Sequence, residues 1–249
     1  MNSAFLRIFF IYCLFSFFSC GKDTDSTGPK KEIEVQILHP VPDIAYEEKV
    51  NKLRAKVTSL GFILQDDFLA IKSWEQVSIL NLYIDEMNKI PHKIIEEIKK
   101  ADLLKIYLTT GSVTNFSKLK DRADDYITND LYSRKYKDLS AMTQEWGVVI
   151  AADKNNTEYT TAVLIHEITH LWEIAIRNNS GTNKYFPISR SNEFLLVHRL
   201  TPWKSVYELD LPQEALALAI SNYYHSDESR KYLQTQYPLA YDYVVKLNL

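Results

Sequence analysis

Hydrophobic positions along the chain change their period several times, and each change predicts an element. Ile33, Val35 and Ile37 alternate with Glu34 and Gln36, the period-two pattern of a half-buried strand, which His39-Pro40-Val41-Pro42 ends. Tyr46 to Leu60 follows helical spacing, is closed by Gly61 and leads into a short strand, Phe62-Ile63-Leu64. Trp74 to Asn88 repeats Val77, Leu80, Ile84 and Met87 at helical spacing, and Pro91 opens a second helix, HKIIEEIKKA, at a favoured first-turn position. Leu103 to Leu108 and Trp146 to Ala152 predict two more strands. The stretch between them, Gly111 to Gln144, is polar, and charge runs such as Lys118 to Arg122 read as solvated faces. A loop from Asp153 to Tyr159, with Thr157 or Thr160 as N-cap, then delivers the chain into a long helix.

That helix, Thr161 to Ile176, is apolar nearly all round: Val163, Leu164, Ile165, Ile168, Leu171, Trp172, Ile174 and Ile176 mark it as buried. Within it stands His166-Glu167-Ile168-Thr169-His170. Residues four apart lie one turn above each other, so the two imidazoles project from one face with Glu167 beside them. Burying His, Glu and His together is costly unless something pairs with them, and a metal ion does so. The H-E-x-x-H pattern encodes two zinc ligands and a general base. His39, His92, His198 and His225 read as loop, surface or helix-end histidines.

Composition adds an address and excludes some partners. Residues 1–19 hold one charge, Arg7, and an apolar run from Ile8 to Phe18, which is too short for a bilayer span of roughly 20 residues and reads as a secretory signal. Ser19-Cys20-Gly21 follows, and residues 20–32 turn at once into a polar tether, GKDTDSTGPKK, the layout of a bacterial lipoprotein lipidated at Cys20. Removing a signal that contains Cys13 then leaves a folded domain with no thiol, so neither a disulfide framework nor a cysteine metal ligand is available. The formal charge of -3 becomes -4 once Arg7 leaves, with Lys and Arg scattered, which gives no footprint for nucleic acid. A composition that is 46% hydrophobic supports a single core, with a small N-terminal α/β segment at 33–70.

A catalytic zinc needs a third protein ligand. An extension of the motif by x-x-Gly-x-x-His is closed, because Glu173 and Ile176 stand at those places. The ligand is therefore expected from a downstream acid: Glu193, Glu208 or Glu214. Glu173, a turn beyond His170, is better placed to orient a ligand. Glu214 has the best local context, since Asp210 and Pro212 signal a helix start and Glu214-Ala215-Leu216-Ala217-Leu218-Ala219-Ile220 is a strong helix former.

HEITH, the C-terminal stretch PQEALALAISNYYHSDESRKYLQTQYPLAYDYVVK and the helix, helix, strand order between Trp74 and Leu108 resemble the anthrax lethal factor type of zinc metallopeptidase, which includes the bacterial Pro-Pro endopeptidases. The resemblance covers roughly Ile71 to Leu249. It implies an α+β, zincin-like metallopeptidase domain at 71–249, with a small mixed sheet, an active-site helix and a mostly helical C-terminal part. It also implies one zinc per chain held by His166, His170 and Glu214, Glu167 as general base, and Tyr207, seven residues before Glu214, as the group that stabilises the transition state. The same resemblance implies a peptide substrate bound as an extended strand on an edge strand beside the zinc helix, expected at Gly147 to Ala152. One position departs from the family pattern: Leu218 stands where a further acid commonly orients the ligands, leaving Glu173 or Glu208 to compensate. The expectation is a monomeric zinc endopeptidase, lipid-anchored in the bacterial cell envelope and acting on an extracytoplasmic protein. The alternative, a degenerate zinc-containing binding or adhesion lipoprotein, would be marked by a broken Glu167, and Glu167 is intact.

Overall fold

An apolar run of six residues forms an interior strand of a four-stranded sheet. The architecture comes from a computed structural model that describes residues 44–65, 74–125, 134–152, 157–181 and 187–249. The strand expected at 33–37, His39, the signal, Cys20 and the tether lie outside these residues, as do the side chains of Thr157 and Thr160. In order, the elements are α1 (Ile44–Ser59), β1 (Phe62–Leu64), α2 (Trp74–Lys89), α3 (His92–Lys100), β2 (Ile106–Thr110), β3 (Ala141–Gln144) and β4 (Gly147–Ala152). There follow α4 (Thr157–Ser180), α5 (Asn192–Leu200), α6 (Val206–Asp210), α7 (Pro212–His225), α8 (Asp227–Gln236) and α9 (Pro238–Leu247). The C-terminal stretch thus breaks into three helices, at Ser226, which caps α8, and at Pro238, which opens α9.

The sheet order is β1-β2-β4-β3, with β1, β2 and β4 parallel and β3 antiparallel to β4. This corrects the expected edge strand: Gly147–Ala152 is paired on both sides, and the edge beside it is β3. The reason is legible in β4 itself, whose six residues are all buried, as befits a strand covered on both faces. The strand expected at Leu103 to Leu108 begins later, at Ile106. Gly147 makes the β3–β4 hairpin possible. Its φ is +139°, and a Cβ there would lie 2.4 Å from the Lys105 carbonyl oxygen, to which Val148 N–H also donates.

Alternation along the strands sorts the two faces. Ile106, Leu108, Val148, Ile150 and Ala152 join the main core with the helices, whereas Val149 and Ala151 face a second cluster of Val113, Phe116, Leu119, Tyr136 and Met142. The charged residues from Lys118 to Arg122 are exposed, as expected, but the described residues of the stretch Gly111 to Gln144 also bury Val113, Phe116, Leu119, Tyr136 and Met142. The stretch covers the second face with short 3-10 turns at Val113–Asn115, Lys120–Arg122 and Tyr136–Asp138, and it supplies β3. Its cations are used as covers: Lys118 lies 4.6 Å from the Trp146 ring centroid and Arg122 4.2 Å from that of Tyr136. On the main face α4 packs against α2, α3, β3, β4 and α7, so the helix carrying the histidine pair is central to the core. Among the described residues no helix is long and apolar enough to cross a membrane.

Candidate metal centre

Helix α4 positions its polar side chains by burying everything around them. Leu164, Ile165, Ile168, Leu171, Trp172 and Ala175 are at most 3% exposed, which fixes the helix rotation and leaves His166 and His170 on one face. Helix α7 brings the third group. Pro212 pre-sets its first turn, where a carboxylate also meets the positive end of the helix dipole, and that residue is Glu214. Buried Ala215, Ala217 and Ala219 keep α7 slim, and Ser221 Oγ donates to the Ala162 carbonyl of α4 at 3.2 Å. One turn on, at the C-terminal end of α7, His225 Nδ1 donates to buried Glu86 of α2 at 2.6 Å, so the later turns of α7 are tied to both α4 and α2.

The three groups converge. His166 Nε2 and His170 Nε2 are 3.1 Å apart, Glu214 Oε2 is 3.1 Å from His166 Nε2, and Glu214 Oε1 is 3.4 Å from His170 Nε2. A tetrahedral zinc with bonds of about 2.0–2.1 Å sets its ligand atoms about 3.3 Å apart, so the spacing suits that ion. Two imidazole nitrogens and a carboxylate oxygen are also a donor set that zinc takes. Side-chain exposures of 24% for His166 and 17% for Glu214 leave the cluster open to solvent on one side, as a catalytic site requires. Among the described residues this is the group able to hold a metal ion.

Electrostatics show how the cluster behaves with protons alone. Burial would push His170 down, but the Glu214 carboxylate overrides it and holds the imidazole up at about 9, with Glu167 and Glu173 adding smaller pulls the same way. Burial would likewise push Glu214 up, but His170 and His166 hold it well below the usual carboxylate range. A proton shared among these groups thus does what a cation would do.

Glu167 stands beside the histidines, buried, and its carboxylate is gripped from the sheet. Thr143 Oγ1 of β3 lies 2.6 Å from Glu167 Oε2 and 2.8 Å from the Glu167 carbonyl oxygen. Sequence reasoning missed Thr143, because nothing local marks a threonine whose partner is 24 residues away. A second link, Arg177 Nη2 to Glu145 Oε1 at 3.1 Å, holds the hairpin to the later turns of α4.

The remaining candidates have other work. Glu173 is fully buried and accepts from Ile188 N, Ser189 N and Ser189 Oγ at 2.7–3.0 Å, so it anchors the approach to α5 and reaches His170 only through its charge. Burial outweighs those bonds and pushes the Glu173 carboxyl up. Glu193 pairs with Lys246 on the surface. Glu208 offers its backbone carbonyl to His198 Nε2 at 2.6 Å, which ties α5 to α6. Tyr207 lies in α6, but its side chain is outside the described residues. Leu218 packs partly buried against the main core, so no acid of α7 backs the ligands from that turn.

The family model described as "Anthrax toxin lethal factor, N- and C-terminal domain" matches residues 69–247. Among solved structures the fold is similar to that of the Pro-Pro endopeptidase PPEP-2 from Paenibacillus alvei, with a TM-score of 0.58 and 20% identity over 80% of this chain and 99% of that one. No curated protein sequence matches the chain.

Proposed function

The chain belongs to the anthrax toxin lethal factor family, a family of zinc metallopeptidases, and we propose that it is a zinc-dependent endopeptidase whose centre is His166, His170 and Glu214 with Glu167 as general base. The observation that carries the reading is the convergence of those three ligand groups, from α4 and α7, beside the buried Glu167, which shares α4 with the two histidines. One zinc ion bound there supplies Lewis-acid chemistry, lowering the pKa of a water towards about 7 and polarising the scissile carbonyl. Glu167 accepts the proton of the attacking water and passes it to the leaving amine nitrogen as the C–N bond breaks. Tyr207, which the family resemblance assigns as the tyrosine seven residues before Glu214, donates a hydrogen bond to the oxyanion.

The substrate is a peptide added as an extended strand to β3. Ala151 N–H donates to Ser140, and with the pairing of β3 on β4 this makes 142/149 and 144/147 the hydrogen-bonded pairs. The N–H and C=O of Ala141 and Thr143 therefore point to the open edge, where a peptide can pair with them. The site acts outside the cytoplasm: residues 1–19 are a signal, and Cys20 carries the lipid that tethers a monomeric domain to the cell envelope. The apolar run Ile8 to Phe18, the cysteine and the polar tether support that address.

The test is elemental analysis of the purified full chain, beside His166→Ala and Glu214→Ala, followed by hydrolysis of a peptide library that includes Pro-Pro bonds. One zinc per chain, lost in both variants, with cleavage that disappears in Glu167→Ala, is the expected result. Zinc that persists in Glu214→Ala overturns the ligand set, and zinc without cleavage of any peptide overturns the peptidase.

A further inference from the structure

Thr143 makes two connections that no other residue of β3 combines. Its backbone faces the open edge of the sheet, and its side-chain hydroxyl reaches Glu167 Oε2 at 2.6 Å and the Glu167 carbonyl at 2.8 Å. Its neighbour Met142 points to the opposite face, into the cluster around Phe116. We propose that Thr143 is a positioning residue: its hydroxyl fixes the Glu167 carboxylate so that the oxygen it does not bind is presented to the attacking water, and it couples that alignment to the strand on which the peptide is laid. The inference rests on the peptidase reading and names a residue that the reading does not require.

Three features support it. Glu167 is only 8% exposed, so its carboxylate oxygens depend on protein donors, and the bond from Thr143 is short enough to be charge-assisted. A carboxylate without such a partner is free to turn about its terminal torsion, which is broad and soft. The hairpin turn that follows Thr143 is linked to α4 by the ion pair of Arg177, 13% exposed, with Glu145, 62% exposed. A hydroxyl also serves both states that Glu167 passes through. It donates to Oε2 before the proton is taken, and afterwards it still donates to Oε2, then the carbonyl oxygen of the carboxyl group, while the proton sits on the other oxygen.

The experiment compares the full chain with Thr143→Val, Thr143→Ala and Thr143→Ser, each checked for zinc content and melting temperature before assay on a cleaved peptide. The Val and Ala variants should keep their zinc and lose about 10- to 100-fold in kcat through misalignment of the base. KM should stay within about twofold, because the backbone edge is untouched, and Thr143→Ser should recover most of the rate. A Val or Ala variant with wild-type kcat overturns the proposal, as does a defect confined to KM, which would make Thr143 a peptide contact. A crystal structure of the wild-type chain with zinc gives a reading that needs no turnover. Glu167 Oε2 seated on Thr143 Oγ1 supports the proposal, and a carboxylate turned away from β3 overturns it. That contact in a protein which cleaves nothing defeats the peptidase reading instead.

Discussion

Two imidazole nitrogens 3.1 Å apart with a carboxylate on their flank need a cation, and the chain supplies either a proton or a metal ion. Glu167 stands beside that centre without being one of its three ligand groups, and this separation of roles can be measured. Glu167→Gln keeps the side-chain shape but cannot take a proton, so kcat should fall by about 10²- to 10⁴-fold with zinc content unchanged. Tyr207→Phe should cost about 10²-fold in kcat with little change in KM, since an oxyanion donor acts only in the transition state. A Tyr207→Phe enzyme with full kcat would remove that residue from the mechanism. How far these roles could be read from sequence depended on distance along the chain. His166 and His170 are four residues apart on one helix and Glu167 follows His166 directly, so their geometry is local and legible. Glu214 is 48 residues from His166, and only helix-start signals and a family pattern singled it out. Thr143 and Ser189, which bind Glu167 and Glu173, carry no local signal, because their partners are set by packing.

At the scale of elements, the register of β3 permits a sharp test of the proposed pairing between a peptide and the sheet edge. Ala141 N–H points outward, so Ala141→Pro removes a donor to the peptide while leaving the ladder to β4 intact, as proline is tolerated on an edge strand. KM for a cleaved peptide should rise about three- to tenfold, the worth of one hydrogen bond, with zinc content and melting temperature preserved. An unchanged KM would show that the peptide does not pair at Ala141. This strand was the element that sequence pattern failed to find. Helices α2, α3 and α7 declare themselves through periodic apolar residues and proline starts, and β4 through a continuous apolar run. Residues 111–144 have no period, because their buried groups Val113, Phe116, Leu119, Tyr136 and Met142 hang from single 3-10 turns and one short strand. Without β3, the sequence pattern leaves β4 as the strand nearest the zinc helix and so predicts it at the edge, although its unbroken burial is the mark of an interior strand.

For the whole molecule, the centre is a cross-link between α4 and α7, two helices that pack against each other in the core, so its occupancy should be felt in global stability. Zinc at 100 times its dissociation constant stabilises the folded state by about 2.7 kcal/mol. For a domain of this size that corresponds to roughly 5–10 °C in melting temperature. The gap should depend on pH, and its sign follows from His170, whose imidazole is held at about 9 in the metal-free fold against an ordinary 6.5. A group raised in this way stabilises fully below about 6.5, and the contribution is lost as pH rises through about 9. The metal-free protein should therefore weaken over that window as the His170–Glu214 pair is discharged. Zinc binding needs the same imidazole without its proton, so the apparent affinity strengthens over the same window. Both effects widen the difference between zinc-loaded and chelator-treated melting temperatures as pH is raised from 6 to 9.5. A difference that stays flat with pH would mean that the metal does not displace the proton of His170, and that the cluster on α4 and α7 is held together by hydrogen bonds alone.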